Sequence, residues 1–339
     1  MYFKSPWFSR ISRYIERPAF GEGLTLTQKM YAKKFEKSES GSGQCNLKYA
    51  AYAMQGFRRH MQDDYHCVPN YAIGLPKEPY ASFAVYDGHG SRGHAVSSYC
   101  AENFLGSVYG RKAIRTAKKA TTELITAGIR KTFVKFDQQL REEQVGIFGV
   151  PGGTGSLSNH PPLQYSGTTV TSVFISNENI TFANLGDSRT ILCRNSQLAF
   201  ETRDHSPALE DESKRIKAAG GRIHTNPNKH TVIMDPDVDG NCDFSISRAL
   251  GDFAFKIPVD KQPDDYIVSP IPNIHTIKRD HQADQFLLLA SDGLFKSLSS
   301  ETVVSIVHEQ LQLTSDLSEI CRNVILTAYY SVRNCICTG

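Results

Sequence analysis

Apolar positions along the chain fall into two rhythms. Short runs rich in aliphatic and aromatic residues, too short for helices, read as buried strands: Phe83-Ala-Val-Tyr86 and Phe286-Leu-Leu-Leu-Ala290, each closed by an Asp-Gly pair. Lys48–Phe57 reads as a further strand, and Thr168–Ser176, Ile180–Asn184 and Thr190–Arg194 have the spacing of an antiparallel meander. Between the last two lies Leu185-Gly-Asp-Ser-Arg189, again Gly/Asp chemistry at a strand end. Helical periodicity marks Ser91–Leu105 and a longer stretch from about Lys112 to Gln144, where Ile114, Ala117, Leu124, Ile125, Ile129, Phe133, Phe136 and Leu140 form a core-facing stripe. Leu209–Ala219, capped by Gly220-Gly221, and Glu301–Leu311 and Leu317–Tyr330 complete the helices. Gly146–Gln164 and Asn226–Asp243 lack periodicity and read as loops. Residues 1–46 lack it too and end in Ser38-Glu-Ser-Gly-Ser-Gly43, which predicts a flexible N-terminal extension before a globular part beginning near Leu47.

Two apolar strands that end in Asp87-Gly88 and Asp292-Gly293 place two carboxylates at strand ends. A half-desolvated Asp needs a partner, and the glycine lets the main chain approach closely enough for its carbonyl to become another oxygen ligand. Such ligands suit a hard divalent cation, Mg²⁺ or Mn²⁺, better than zinc. Each pair alone is ordinary turn chemistry. His89, next to Gly88, is what turns the first pair into a candidate site, because an imidazole there can act as a general acid. The charged segment Arg58–Asp64 after the Lys48 strand fits a phosphate fork and a water-orienting carboxylate.

Composition narrows the classes. The 339 residues allow a sizeable core, and a formal charge of +3 indicates no nucleic-acid partner. Eight cysteines without a C-x-x-C pair predict free thiols in a reducing compartment, cytoplasm or nucleus. No apolar run reaches the roughly 18–20 residues of a membrane span. The opening 14 residues hold Arg, Ser and aromatics without an acid, a faint organelle-targeting pattern.

The motifs, in order, are Met54-Gln-Gly-Phe-Arg-Arg-His-Met-Gln-Asp63, Val85-Tyr-Asp-Gly-His-Gly90, Ser166-Gly-Thr-Thr169, Ala183-Asn-Leu-Gly-Asp-Ser-Arg189, Asp204-His-Ser-Pro207, the run from Glu210 to Arg222, Ser247-Arg-Ala-Leu-Gly-Asp252 and Leu289-Ala-Ser-Asp-Gly-Leu294. Together they resemble the metal-dependent protein serine/threonine phosphatases of the PP2C type, the PPM family. The resemblance implies an α+β fold, an α-β-β-α sandwich of two mostly antiparallel sheets flanked by helices. It implies hydrolysis of phosphoserine and phosphothreonine in phosphoprotein substrates with two Mg²⁺ or Mn²⁺ ions and a weaker third, by a monomer. In that likeness Asp87 bridges the two ions, Gly88 offers a carbonyl, and Asp292 and residue 62 are further ligands. Asp187 serves the third ion, Asp63 orients water, Arg58 holds the phosphate and His89 protonates the leaving oxygen.

Three positions depart from the pattern. Gln62 stands where the family has a Glu, and Lys296 where many members have an acid. The closing Tyr330-Ser-Val-Arg-Asn-Cys-Ile-Cys-Thr-Gly339 puts Arg333 where the family has a metal-ligating Asp. The expectation is a phosphatase domain over 47–339 cut short before its last strand, with a catalytically impaired phosphoprotein-binding protein as the alternative.

Overall fold

The computed structural model describes residues 36–56, 58, 60–71, 80–109, 121–148, 163–225, 231–234, 244–259 and 261–337. The chain divides into two units, one of residues 1–41, 48–61 and 293–339 and a larger one of residues 42–47 and 62–292.

The larger unit is built on a seven-stranded sheet. β4 (Tyr80–His89) and β6 (Val170–Ile175) form its middle, β7 (Asn179–Leu185) and β13 (Asn273–Lys278) extend one side, and β5 (Gly167–Thr168) and β12 (Leu250–Gly251) the other. β3 (Asp63–Tyr71) also pairs with β4, and every pairing is antiparallel. The period-two side-chain rule divides β4 between two cores. Tyr80, Ala84 and Tyr86 face α1 (Gly93–Tyr109) and α2 (Thr122–Phe148), where Phe104, Phe133 and Phe136 interlock edge to face at centroid separations of 4.7 and 5.1 Å. Ala81 and Phe83 face the other way, toward Leu192, Phe200, Leu287 and Leu289 of a three-stranded sheet of β14 (Asp284–Ala290), β8 (Arg189–Arg194) and β9 (Gln197–Glu201). Burial on both faces is why these strands read as continuous apolar runs.

Hydroxyls as well as aliphatics join the two sheets. Thr171 and Thr190 share a hydrogen bond of 2.7 Å, as do Thr169 and Ser188. The expected meander breaks at this point. β6 and β7 pair, but β8 pairs with β14 and β9 in the second sheet. The chain changes sheet at Gly186, whose φ of +103° favours glycine and where a Cβ would lie 2.5 Å from Thr169 Cγ2.

Outside the sheets, α3 (Glu210–Ala218) ends at Gly220 with φ +93°, the left-handed cap the sequence predicts, and packs with β10 (Arg222–Thr225) and β11 (Thr231–Met234). Only residues 231–234 of the latter part of the Asn226–Asp243 loop are described, and they are strand. The 112–120 portion of the long predicted helix and residues 149–162 of the predicted Gly146–Gln164 loop lie outside the described residues, and α2 runs on to Phe148, past the expected start of that loop.

The smaller unit holds most of a hairpin, β1 (Glu36–Gly43) with β2 (Leu47–Met54), and two helices, α5 (Ser300–Leu311) and α6 (Leu317–Cys337), which follow the one-turn α4 (Asp292–Phe295). The Ser38–Gly43 stretch expected to be a flexible linker is therefore a strand. Its turn carries Cys45 and Asn46 at φ 62° and 56°, the left-handed pair that suits hairpin twist. Tyr49 and Tyr52 donate across it to Glu39 (3.0 Å) and Glu36 (2.6 Å), interactions that composition alone does not announce. Asn323 of α6 donates to Gln310 of α5 at 3.0 Å. The segment carrying Arg333 continues α6 to Cys337.

Candidate active site

The antiparallel register of β3 and β4 sets Asp63 opposite Asp87. At the end of β4, Gly88 N–H donates to Gln62 O (3.0 Å), while Thr169 N–H donates to Asp87 O (2.9 Å). The strand end is pinned on both sides. A Cβ on Gly88 would sit 2.2 Å from Gly93 O and 2.7 Å from Gln62 O, so only glycine fits. Gln62 Nε2 donates to Gly90 O at 2.9 Å and so ties β3 to the Asp-Gly-His-Gly turn.

From the second sheet, Ser291 at the end of β14 donates its hydroxyl to Asp63 Oδ2 at 2.6 Å. Asp292 comes next in the chain. Asp187 follows the crossing glycine. These groups act on one another: the Asp87 carboxyl is pushed up to about 9, first by burial and then by the negative charges of Asp63, Asp292 and Asp187, with a hydrogen bond from Asp63 adding to it. Carboxylates that raise each other's affinity for protons form a site short of positive charge. All are hard oxygen donors, so the residues present fit Mg²⁺ or Mn²⁺. Among the described residues, no three His, Cys, Asp or Glu side chains form a ready-made chelating group. The fit rests on charge and donor chemistry.

His89 lies at the same strand end. Its Nε2 meets Asp252 Oδ2 at 2.7 Å, and Phe244 packs edge-on against the ring at 5.1 Å. Burial alone would lower the affinity of this imidazole for protons; the charge and hydrogen bond of Asp252, helped by Asp187, outweigh it and hold the pKa above the ordinary histidine value. Sequence reasoning did not assign Asp252 a role. The signal was present, since Gly251-Asp252 is another Gly/Asp pair and closes a quoted motif. Nearby, Arg189 grips Asp204 with two bonds, 3.0 and 2.7 Å.

The structure thus gathers Gln62, Asp63, Asp87, Gly88, His89, Asp187 and Asp292 in the larger unit. Arg58 is carried by the smaller unit, on an exposed bend after β2 where its carbonyl accepts from Gln55 Nε2 at 2.7 Å.

The larger unit is a two-sheet α+β fold with acidic strand ends and a histidine–aspartate pair, and comparison with known proteins gives it a family. The sequence model of protein phosphatase 2C matches residues 47–334, and the chain belongs to that family. It is 36% identical over 301 residues to "Protein phosphatase 1A" of Mus musculus, covering 88% of this chain and 70% of the relative. It is 34% identical over 303 residues to "Protein phosphatase 1B" of Rattus norvegicus, with the same coverage. Among solved structures, the serine-threonine phosphatase 2C from Toxoplasma gondii superposes with a TM-score of 0.65 at 17% identity, over 88% of this chain and 90% of that one. A C. elegans sex determining protein gives 0.63 at 20% identity, over 88% of this chain and 61% of that one. These structural likenesses bear out the fold, a mixed α+β arrangement of antiparallel sheets and helices. No helix among the described residues is long and apolar enough to cross a membrane.

Proposed function

We propose that this chain is a serine/threonine phosphatase that hydrolyses phosphoserine and phosphothreonine in proteins, using two Mg²⁺ or Mn²⁺ ions and a weaker third. The observation that carries the reading is the convergence of Asp63, Asp87, Asp187 and Asp292, contributed by both sheets, beside the His89–Asp252 pair. When bound, the ions supply the positive charge that lets water act as a nucleophile near neutral pH and offsets charge on the phosphate. Asp87, the Gly88 carbonyl and Asp292 would hold them, with Gln62 as a neutral ligand and Asp187 at the weaker position. Asp63, fixed by Ser291, orients the attacking water; the phosphate fork is the role that the family likeness gives Arg58. As the new P–O bond forms, the ester P–O bond breaks and His89 passes its proton to the departing serine or threonine oxygen. With Nε2 on Asp252, the other ring nitrogen, Nδ1, is buried without a hydrogen-bond partner among the described residues, so the leaving oxygen has to reach it for the proton to pass.

Turnover of a phosphothreonine peptide with and without millimolar Mn²⁺ tests this: release of phosphate only with the ion supports it, and no release at any ion concentration ends it. A second reading, an impaired phosphatase that binds phosphoproteins, is favoured by Gln62, whose amide donates to Gly90 O as no glutamate can. Phosphopeptide retention without turnover would support that reading.

A further inference from the structure

We infer that Asp137 and Lys256 are positioning residues for His89, acting through the Gly251–Asp252 turn. The inference rests on the phosphatase reading above, with His89 as its proton donor.

Asp252 reaches His89 from an unusual piece of backbone. Gly251 has φ +86°, and Asp252 itself has φ 51° and ψ 50°, a left-handed conformation that L side chains disfavour. A Cβ on Gly251 would lie 2.5 Å from Ser166 O. Asp252, the non-glycine residue of the two, lies outside a hairpin turn, where such a conformation persists only if the surroundings over-determine it, and the surroundings here are a buried ion pair. Asp137, from the middle of α2, accepts with a single oxygen from Gly251 N–H at 2.8 Å and from Lys256 Nζ at 2.7 Å. Lys256 Nζ also donates to Ala249 O at 2.9 Å. Three bonds from one charge pair therefore fasten Ala249 to Gly251, immediately before Asp252. The far side of the turn is held by Asp252 N–H on Ser166 O (3.1 Å) and by Phe255 N–H on Asp252 O (3.1 Å). Arg141, one turn along α2 from Asp137, closes the assembly from outside. Its guanidinium stacks on Phe253 at 4.4 Å and donates to Lys256 O at 2.9 Å.

A pair this deeply buried, with Lys256 wholly inaccessible, is a poor device for stability alone, because two well-packed apolar side chains would serve as well or better. What apolar side chains could not do is hold the Gly251 N–H and the Ala249 carbonyl. The groups tethered by the pair are those that aim Asp252 at His89.

The test uses two substrates that differ in their need for a proton donor. A phosphothreonine peptide has a poor alkoxide leaving group, whereas p-nitrophenyl phosphate leaves as a stable phenolate and needs little protonation. In the full chain with Mn²⁺, the double variant Asp137→Leu with Lys256→Met removes both charges together with the oxygen that holds the Gly251 N–H, so neither charge is stranded and the turn loses its tether. The expected result is a fall in kcat on the peptide of at least about tenfold, with KM within about twofold and activity on p-nitrophenyl phosphate within about threefold of the parent. His89→Asn should show the same split. Equal falls on both substrates, or no fall on the peptide, would overturn the inference. Should the double variant not fold, Arg141→Met loosens the same turn from its solvent side and must show the same selectivity; an equal or absent effect there refutes the inference. Parent protein inactive on both substrates would sink the phosphatase reading together with everything built on it, an outcome distinct from active parent with unselective variants.

Discussion

Replacing Glu212 by glutamine should destabilise the larger unit severely, and the structure allows the magnitude to be worked out. Glu212 is buried on α3, and its carboxylate is shared between two arginines. Oε1 accepts from Arg248 through Nε (3.0 Å) and Nη2, and Oε2 accepts from Arg215 Nη2 at 2.8 Å. Burial would raise its pKa, but the two guanidiniums more than reverse that and bring it down to about 2. Arg215 goes on to the carbonyls of Ser247, Tyr266 and Ile267, and Arg248 to the Ile271 carbonyl (2.9 Å) and Asn273. The amide keeps the shape of the side chain and removes the charge, leaving two guanidiniums largely desolvated without their anion. Breaking a buried pair in this way costs about 3–5 kcal/mol. At the few degrees per kcal/mol expected for a domain of this size, the thermal midpoint should fall by roughly 10 °C. The control is Arg203→Ala, whose partner Asp211 is as exposed as Arg203 itself and whose loss should cost no more than about 1 kcal/mol. Calorimetric or fluorescence melts of both variants read the difference. A midpoint for Glu212→Gln within two degrees of the parent, or equal losses for both variants, would refute the reasoning.

Other outcomes follow from the same geometry. Gly88→Ala should abolish activity and lower stability, because the new methyl would need the space of Gly93 O; full activity in that variant would show that the turn can relax. Because the Asp87 pKa is raised above its unfolded value, its contribution to metal-free stability is present in acid and is lost as pH rises toward about 9. Mn²⁺ should therefore raise the thermal midpoint more at pH 8 than at pH 5, and calorimetry in buffers of different ionisation enthalpy should record proton release on binding. His205 is pushed down to about 3, chiefly by burial and then by Arg248, with Gly186 N–H donating to its Nδ1 at 3.1 Å. A depressed pKa gives stability that is present above the ordinary histidine value and lost as pH falls from about 6.5 toward 3; His205→Gln should flatten that part of a stability–pH profile. Phe133→Ala, which empties the aromatic cluster between α1 and α2, should cost about 3–5 kcal/mol, measured by urea unfolding.

Local pattern made much of this legible. The helices near 93, 122, 210, 300 and 317 and the strands ending at Asp87 and near Asp292 could be placed from periodicity, because burying one stripe or both faces leaves a mark on composition. The departure of β8 into a second sheet left no such mark, since an apolar strand looks alike whichever sheet it joins. β1 was hidden for the opposite reason: all its residues before Gly43 are exposed, and tyrosines on the other strand of the hairpin bond to its glutamates. Asp87, His89 and Asp292 were found through Asp-Gly chemistry. Asp252 was passed over because its use depends on two left-handed residues and on a carboxylate from α2, neither of which short-range sequence encodes.

The hydroxyl pairs between the sheets bear on the spacing of the acidic groups. Aliphatic side chains slide past one another with little penalty, whereas a Thr171–Thr190 or Thr169–Ser188 contact tolerates only tenths of an ångström before a dry polar atom is orphaned. Asp87 rides on one layer and Asp292 on the other. The threonine and serine seam therefore works as a gauge block for the separation of the two carboxylate-bearing layers, so that swapping either pair for valines would blur that separation while leaving the grease around it intact.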